Sequence, residues 1–389
     1  EIRFAGFTDA WEQRKLGEIA SSFEYGLNAA AKEYDGENKY IRITDIDDNT
    51  HEFLTYNLTS PDIDLTDVEN YKLAEGDILF ARTGASVGKS YIYRDSDGLV
   101  YYAGFLIRAR VREEYDAEFV FQSTLTDKYN KYIAVTSQRS GQPGVNAQEY
   151  SEFEIRVPEK EEQTKIGTYF HNLDHLITLH QRKCEETKKL KKYMLQKMFP
   201  QNGQTVPEIR FAGFTDAWEQ RKLGEVFKEY SEKGHTELPT LTIIQGGGTV
   251  KREDSDRNLM YDETNLSNYK MVRKDDFIVH LRSFEGGLEK ASLDGIISPA
   301  YHTFHSDEAD SRFYYPYFRS FEFIKHKLVP HVYGIRDGRS IDIEGMKSIE
   351  IPYTSLSEQR KIGDYLELLD HLITLHQHKC EQLQSMKKF

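Results

Sequence analysis

The sequence predicts an α+β protein in which two globular domains are joined by two long antiparallel helices in a pseudo-two-fold arrangement. Two internal repeats support this prediction. EIRFAGFTDAWEQRKLGE at 1–18 recurs unchanged at 208–225, and KIGTYFHNLDHLITLHQRKC at 165–184 returns at 361–380 with fifteen of twenty residues identical. The two segments between these copies, roughly 20–157 and 226–351, are hard to align. A repeated frame with two divergent inserts suits a protein that binds two different targets.

Composition limits the class of protein. The 389 residues are 38% apolar and 13% aromatic, enough for two or three domains with a real core. The mean hydropathy of −0.66, without an apolar run near 18 residues or an N-terminal signal pattern, predicts a cytoplasmic protein without a membrane span. The net charge of −13 argues against a wholly basic nucleic-acid-binding surface. Any contact with nucleic acid must therefore use local basic patches or other subunits.

The domain boundaries follow from composition and proline positions. Pro158 and Pro352 lie at or just before the expected helix starts, and Pro200 lies past the first helix. We expect globular domains, helices and a linker in the order 1–157 (domain), 158–200 (helix), 201–207 (linker), 208–351 (domain) and 352–389 (helix). The second helix copy stops at Phe389, where the first continues through Tyr193–Pro200, so the ends are expected to be trimmed or disordered.

Both predicted helices carry an apolar stripe with alternating spacings of four and three, which is typical of a helix that pairs with another helix. We expect the two stripes to pack antiparallel. The predicted interface consists of Ile166, Phe170, Leu173, Ile177, Cys184, Ile362, Leu366, Leu369, Ile373 and Cys380. The two cysteines occupy matching positions and are expected to be reduced, packed thiols.

The inserts contain short apolar or alternating runs between Gly-rich turns, a pattern typical of strands. Asp77–Ala81, Tyr101–Ile107 and Phe277–His280 are the clearest predicted strands. With the helices, they indicate an α+β class for each domain.

A glycine-rich segment follows the first of these strands. GASVGKS at 84–90 has three residues between its glycines, whereas a phosphate-binding P-loop needs four. We therefore interpret it as a turn that presents hydrogen-bond donors. The candidate donors are Arg82, Thr83, Ser86 and Lys89, with Arg282 and Ser283 at the matching place in the second insert.

A second polar loop precedes each helix copy. It carries side chains of the types that read base edges or hold phosphates. In the first insert these are Arg139, Ser140, Gln142 and Asn146, and in the second Arg336, Arg339 and Ser340. Taken alone, either loop is better explained as a solvated polar loop. Their recurrence at one place in two dissimilar inserts favours DNA contact.

Other motifs do not indicate catalysis. An acidic run within 43–71 contains no Lys or Arg, so it predicts a face turned away from DNA or a solvated loop, and it lacks the glycine-pinned spacing of a calcium site. The chain has no Pro-Pro pair for an adenine methyltransferase motif and no Gly-x-Ser-x-Gly elbow. Histidines repeated with the helices, such as His180 and His376, are expected at the helix interface.

Taken together, the motifs resemble one known family. The repeated frame, GDILFARTG at 76–84, GQPGVNAQEY at 141–150 before IRVP, and the EQxKIG helix starts at 162 and 358 are similar to those of specificity subunits of type I restriction-modification systems. The resemblance covers essentially the whole chain. It implies two target-recognition domains that read a split, asymmetric sequence in double-stranded DNA, and a chain that catalyses nothing itself. It also implies two methylation subunits that bind S-adenosylmethionine, restriction subunits that bind ATP and Mg²⁺, and no cofactor or metal in this chain.

Two rival interpretations belong to other classes. One is a fused DNA-modifying enzyme whose catalytic domain is supplied elsewhere, which the missing Pro-Pro-aromatic motif disfavours. The other is a twin-lobed scaffold that binds protein and not DNA, which the net charge of −13 supports and the matched polar loops oppose.

Overall fold

The structure is a computed structural model that describes residues 3–139, 141–201, 203–255, 263–280, 282–334 and 340–387, with the side chains of 263 and 264 left out. By internal contacts the chain divides into two units. Unit 1 comprises Glu1–Gln181 and His378–Phe389, and unit 2 comprises Arg182–Gln377. Each unit therefore combines a globular region with segments of both long helices.

Unit 1 contains ten described strands and four short α-helices before the long helix begins. The strands are β1 (Glu12–Lys15), β2 (Ala20–Tyr25), β3 (Ala31–Glu33), β4 (Lys39–Ile41), β5 (Thr59–Pro61), β6 (Asp77–Ala81), β7 (Ser90–Ile92), β8 (Val100–Tyr102), β9 (Leu106–Val111) and β10 (Glu154–Val157). The helices are α1 (Leu16–Ile19), α2 (Ala117–Ser123), α3 (Asp127–Thr136), α4 (Ala147–Ser151) and the long α5 (Lys160–Lys197).

The central sheet of unit 1 is antiparallel, with strand order β2-β9-β6-β7. Strand β6 confirms the prediction for Asp77–Ala81, and all five of its residues are buried. Because successive side chains of a strand point to opposite faces, Ile78 and Phe80 enter one apolar cluster while Leu79 and Ala81 enter another. The predicted single strand Tyr101–Ile107 is wrong. A turn closed by the Leu106 N–H to Ala103 O hydrogen bond (2.8 Å) separates β8 from β9.

Unit 2 contains twelve described strands, several short helices and the second long helix. The strands are β11 (Glu219–Lys222), β12 (Lys228–Tyr230), β13 (Leu241–Ile244), β14 (Gly248–Lys251), β15 (Lys270–Val272), β16 (Phe277–Val279), β17 (Glu289–Lys290), β18 (Gly295–Ile297), β19 (His302–His305), β20 (Val332–Tyr333), β21 (Ser340–Ile341) and β22 (Glu350–Tyr353). The α-helices are α6 (Leu223–Val226), α7 (Ser283–Gly286), α8 (Ser311–Phe318), α9 (Ile343–Lys347) and α10 (Leu356–Lys387), and a π-helix covers Glu322–Leu328.

The central sheet of unit 2 repeats the topology of unit 1. Its strand order is β12-β19-β16-β17, again antiparallel. Strand β16 bears out the predicted strand at Phe277 but ends at Val279, one residue before His280. The two inserts thus share a sheet although their sequences are hard to align, because a sheet needs only matching apolar strands at matching places.

The repeated N-terminal segment is tied to the helix that follows each insert. Strand β1 pairs with β10, and β11 pairs with β22. Arg3 binds the buried carboxylate of Glu162 through two hydrogen bonds of 2.7 Å, and Arg210 binds Glu358 through bonds of 2.6 and 2.8 Å. We call each of these Arg–Glu pairs a clamp. Since both residues of each clamp belong to repeated motifs, the two repeats form one structural element in each unit.

The long helices are slightly shorter than their predicted ranges. Helix α5 has 38 residues and α10 has 32, about 57 and 48 Å at 1.5 Å per residue. Pro352 lies inside β22, so α10 begins at Leu356 and not directly after the proline.

Within each unit, segments of the two long helices run antiparallel, as predicted. In unit 1 the Cys380 thiol donates to Ile177 O (3.6 Å) and Lys387 pairs with Asp174 (2.6 Å). In unit 2 the Cys184 thiol donates to Ile373 O (3.9 Å) and Lys191 pairs with Asp370. These are the same contacts in the two repeat copies, with the roles of the helices exchanged.

The predicted interface residues fall into three groups. Leu173, Ile177, Cys184, Leu369 and Cys380 are buried, and Phe170 and Ile373 are half-buried. Ile166, Ile362 and Leu366 instead pack against the apolar clusters of their globular regions. These three lie near the helix starts, where each helix leaves its globular region.

Candidate nucleic-acid interface

Two predicted loops of unit 1 lie side by side at the end of β6. The Val145 N–H donates to Arg82 O (2.9 Å), and the Gly84 N–H donates to Pro143 O (3.0 Å). The Arg82 N–H in turn donates to Phe105 O (3.0 Å). Backbone hydrogen bonds therefore join polar loops that are about sixty residues apart in sequence.

Arg82 lies among exposed aromatic residues at this loop pair. Its guanidinium is 5.0 Å from the centre of the Tyr25 ring and donates to Gly104 O (3.5 Å). Tyr25 is 44% exposed and Phe105 is 61% exposed. Arg82 itself is half-buried, and the cation–π contact orients its guanidinium beside the exposed Tyr25 ring.

Gln142 completes this surface, which we call the Arg82 surface and define by Tyr25, Arg82, Phe105 and Gln142. Gln142 is exposed, and a Cβ built on Gly84 would lie 3.1 Å from its Nε2. Gly84 also has φ of +76°, a conformation that favours glycine. The neighbouring Thr83 and Ser86 are half-buried in the turn that follows.

Lys89 is held inside the protein. Its side chain is 10% exposed, forms an ion pair with Asp48 and donates to Ile46 O (3.0 Å). Asp48 belongs to the acidic run, so this part of the run folds back onto the basic turn and neutralises one of its cations. Lys89 and Ser86 line a cavity of about 540 Å³ beside the turn.

The remaining predicted residues of unit 1 make local contacts. Asn146 caps α4 by accepting from Glu149 N (2.9 Å). Arg139 forms an ion pair with Glu149 and donates to Thr136 O (2.8 Å). Ser140 lies outside the described residues. Asn146 and Arg139 are exposed, but their polar groups already stabilise the loop.

The basic residues of β9 are also engaged. Arg108 is 2% exposed and pairs with Glu24, and Arg110 binds the buried carboxylate of Asp77 through two bonds of 2.9 Å. These arginines stabilise the sheet, and the carboxylates of Glu24 and Asp77 neutralise their positive charge.

In unit 2 the corresponding turn follows β16. Arg282 is exposed, whereas Ser283 is fully buried and its hydroxyl accepts from His280 N (2.9 Å). Ser340 begins β21, paired with Tyr333. Arg336 and Arg339 lie outside the described residues.

A glycine-rich hairpin in unit 2 was missed by the sequence reasoning. Its tip, between β13 and β14, is anchored by Glu289, which is fully buried and accepts from Gly246 N (2.7 Å), Gly248 N (3.1 Å) and Arg319 Nη1 (3.0 Å). A Cβ on Gly286 would lie 2.4 Å from Gln245 Nε2, so the hairpin packs on the Arg282 turn. The run IIQGGGTV at 243–250 was the signal that could have located it.

Tyr25 and Phe105 were also missed. Their nearest sequence signal is an aromatic residue beside a glycine, in YG at 25–26 and GF at 104–105. The pairing of β9 with both β2 and β6 brings the two segments together with Arg82.

The described residues offer no metal centre: no group of three or more His, Cys, Asp or Glu side chains among them is arranged to hold an ion. Cys184 and Cys380 are buried and reduced. Across the described part of the chain, no helix is both long and apolar enough to cross a membrane.

Comparison with known proteins identifies the family. The type I restriction modification DNA specificity domain matches twice, at residues 8–189 and 215–385. The putative MjaX specificity subunit of Methanocaldococcus jannaschii is 25% identical over 400 positions, covering 97% of this chain and 91% of the relative. The MjaVIII specificity subunit of the same organism is 23% identical over 398 positions, covering 97% and 90%.

A solved structure supports the same fold. The crystal structure of a type I restriction-modification S subunit from M. genitalium superposes with a TM-score of 0.62 at 14% identity, covering 99% of this chain and 96% of the other. With two family domains spanning most of its length, the chain belongs to the type I restriction-modification specificity family and is a DNA sequence-recognition subunit.

Proposed function

We propose that the chain reads a bipartite, asymmetric sequence in double-stranded DNA, with one half-site read by each globular region. The observation that carries this proposal for unit 1 is the Arg82 surface, where two distant polar loops meet. An arginine can bind guanine O6 and N7 with two hydrogen bonds, and a glutamine can bind adenine in the same way. Exposed aromatic rings beside them provide apolar contact with bases or sugars.

In unit 2 the proposed reading surface is the exposed Arg282 together with the Gln245 hairpin. The buried Glu289 fixes that hairpin, so its tip is preorganised for contact. The two surfaces differ in sequence while the sheets beneath them match. Such a pair suits two half-sites of unrelated sequence.

The proposed partners are two methylation subunits and the restriction subunits of the same system. The chain itself would catalyse no reaction and hold no cofactor, with S-adenosylmethionine, ATP and Mg²⁺ bound by the partners. A protein-binding scaffold without DNA contact is the less favoured alternative, because two DNA specificity domains span most of the chain.

The test is methylation mapping of the assembled complex. Exchange of residues 226–351 for the corresponding insert of another family member should change one half of the methylated sequence and leave the other half and their spacing intact. Change in both halves would contradict independent reading.

A single substitution tests the Arg82 surface. Arg82→Ala should weaken methylation at one half-site by about 1–3 kcal/mol, roughly 5- to 150-fold, because one bidentate base contact is lost. Arg14→Ala is the matched control, since Arg14 is exposed on β1 of the repeated frame and its removal changes the net charge equally. An equal effect of both variants would show that Arg82 acts only through its charge.

A further inference from the structure

Phe105 is an apolar side chain that the fold leaves at the surface of unit 1. It is 61% exposed, and it belongs to none of the apolar clusters that the described residues of this unit form. It lies between β8 and β9, in the turn that the Leu106 N–H to Ala103 O hydrogen bond closes (2.8 Å). Packing of the core therefore does not explain a phenylalanine at this position.

Hydrogen bonds to two neighbouring segments hold the backbone of this turn. The Gly104 N–H donates to Leu27 O (2.8 Å), just after the end of β2. From the other side, the Arg82 N–H, just after β6, donates to Phe105 O (3.0 Å). Because the backbone is held on both sides, the Phe105 ring can contact a ligand without the cost of ordering a loose loop.

The same turn positions the Arg82 guanidinium. Its Nη1 donates to Gly104 O (3.5 Å), and the guanidinium lies 5.0 Å from the centre of the Tyr25 ring. Arg82 thus contacts the Phe105 turn through both its backbone and its side chain. Since neighbouring base pairs are stacked about 3.4 Å apart, two side chains on one small turn would meet adjacent base pairs of one half-site.

The chemistry of the major groove restricts what a phenylalanine can recognise there. In the proposed function Arg82 binds guanine O6 and N7, which lie on the major-groove edge. That edge carries polar donors and acceptors on every base pair, and its one methyl group is the C5-methyl of thymine. A phenylalanine ring forms no hydrogen bond with the polar groups but packs favourably on the methyl group. An exposed Phe105 beside Arg82 therefore matches thymine.

We propose that Phe105 determines specificity for a thymine by contacting its C5-methyl group, next to the base pair that Arg82 contacts. The inference rests on the proposed function of the Arg82 surface, and it adds the base that one residue of that surface recognises. The half-site read by unit 1 then contains a thymine adjacent to a G·C pair. Cytosine is rejected at that place because it lacks the methyl group and presents a polar amino group instead.

The experiment replaces thymine by uracil in the DNA and uses the assembled complex of the chain with its methylation subunits. The half-site of unit 1 is the half of the methylated sequence that stays unchanged when residues 226–351 are exchanged. Each thymine of that half-site, on either strand, is replaced in turn by deoxyuridine, which pairs as thymine does and lacks only the methyl group. At one position the affinity should fall about fourfold, the effect of losing one buried methyl group. Deoxyuridine between the half-sites should change nothing.

Two protein variants assign the lost contact to Phe105. In Phe105→Ala, thymine and uracil DNA should bind equally, because the ring that senses the methyl group is absent. Tyr56→Ala is the matched control: it removes an aromatic ring that is 75% exposed in the same unit but lies outside the Arg82 surface, so the preference for thymine should remain. The wild-type comparison changes only the DNA, and it therefore does not depend on the folding of a variant.

Three results would overturn the inference: a unit 1 half-site without thymine, equal binding of thymine and uracil DNA at every position, or a preference for thymine that persists in Phe105→Ala. The Arg82→Ala variant then separates this failure from failure of the proposed function. If Arg82→Ala still weakens methylation at the same half-site, the Arg82 surface reads DNA without the thymine contact. If it has no effect, the reading surface of unit 1 lies elsewhere.

Discussion

At the residue scale, buried carboxylates hold the repeated frame in place. Glu358 is 1% exposed and accepts from Arg210, from the Trp218 indole N–H (3.1 Å) and from the Thr354 hydroxyl (2.5 Å). Several donors converge on one desolvated charge, so its removal leaves each of them without a partner.

Glu358→Ala should therefore destabilise unit 2 by about 3–5 kcal/mol, because the Arg210 charge, whose side chain is only 11% exposed, is left unpaired. Urea unfolding followed through Trp218 fluorescence in a Trp11→Phe background measures this. Glu219→Ala is the control, because Glu219 is 62% exposed in its pair with Arg221 and should leave the midpoint unchanged. Equal urea midpoints for Glu358→Ala and Glu219→Ala would contradict a stabilising role for the Arg210–Glu358 pair.

A histidine on β19 links the stability of unit 2 to pH. Burial lowers the pKa of His305, but hydrogen bonds to Asp276 and Asp307 outweigh burial and raise that pKa above the ordinary 6.5. A raised folded-state pKa stabilises the protein fully below pH 6.5, and this stabilisation disappears as the pH rises through the folded-state pKa.

The difference in urea midpoint between the wild type and His305→Gln should thus be largest below pH 6.5 and shrink at higher pH. Asp307→Asn, which removes the more exposed partner, should reduce the difference without abolishing it, since Asp276 is retained. A difference that grows with pH would show that His305 is neutral in the folded protein.

At the element scale, the helices are specified by the position of their apolar side chains. Leu369 is 4% exposed and the adjacent Leu368 is 53% exposed, because neighbouring helical residues point about 100° apart. The same contrast holds in α5 for the adjacent residues Ile177 at 8% and Leu176 at 39%.

Leu369→Ala should lower the free energy of unfolding by about 2–5 kcal/mol, because a buried side chain leaves a cavity. Leu368→Ala removes the same atoms from an exposed site and is the matched control. Denaturant unfolding by circular dichroism compares them. Similar losses for the two variants would place the buried stripe elsewhere on α10.

At the scale of the whole molecule, charge limits DNA binding by the isolated chain. The net charge is −13, and among the described loop residues Lys89 and Arg139 are already paired with carboxylates. Non-specific affinity depends on the number of phosphates that a protein neutralises.

The chain alone should therefore bind its DNA site weakly at physiological salt, and the complex with methylation subunits should bind far more tightly with a steeper salt dependence. Electrophoretic shifts at several salt concentrations measure both affinity and slope. A scrambled duplex of equal length controls for non-specific binding. Equal affinity and slope with and without the subunits would mean that the chain supplies the cationic surface itself.

The sequence by itself determined the frame of this protein. Exact repeats indicated two domains, the four-and-three spacing predicted both long helices and their antiparallel packing, and the apolar run Asp77–Ala81 predicted β6. These features are readable because they depend on local periodicity or on identity between copies. The family followed from the same motifs.

Only the tertiary structure decided which polar residues face outward. Arg82 and Lys89 lie seven residues apart and are equally cationic in the sequence, yet one lies on an aromatic surface and the other is neutralised by Asp48. Ser283 is buried and Glu289 anchors a distant hairpin. These outcomes depend on strands and loops that meet across 40 or more residues, and long-range pairing leaves no local periodicity in the sequence.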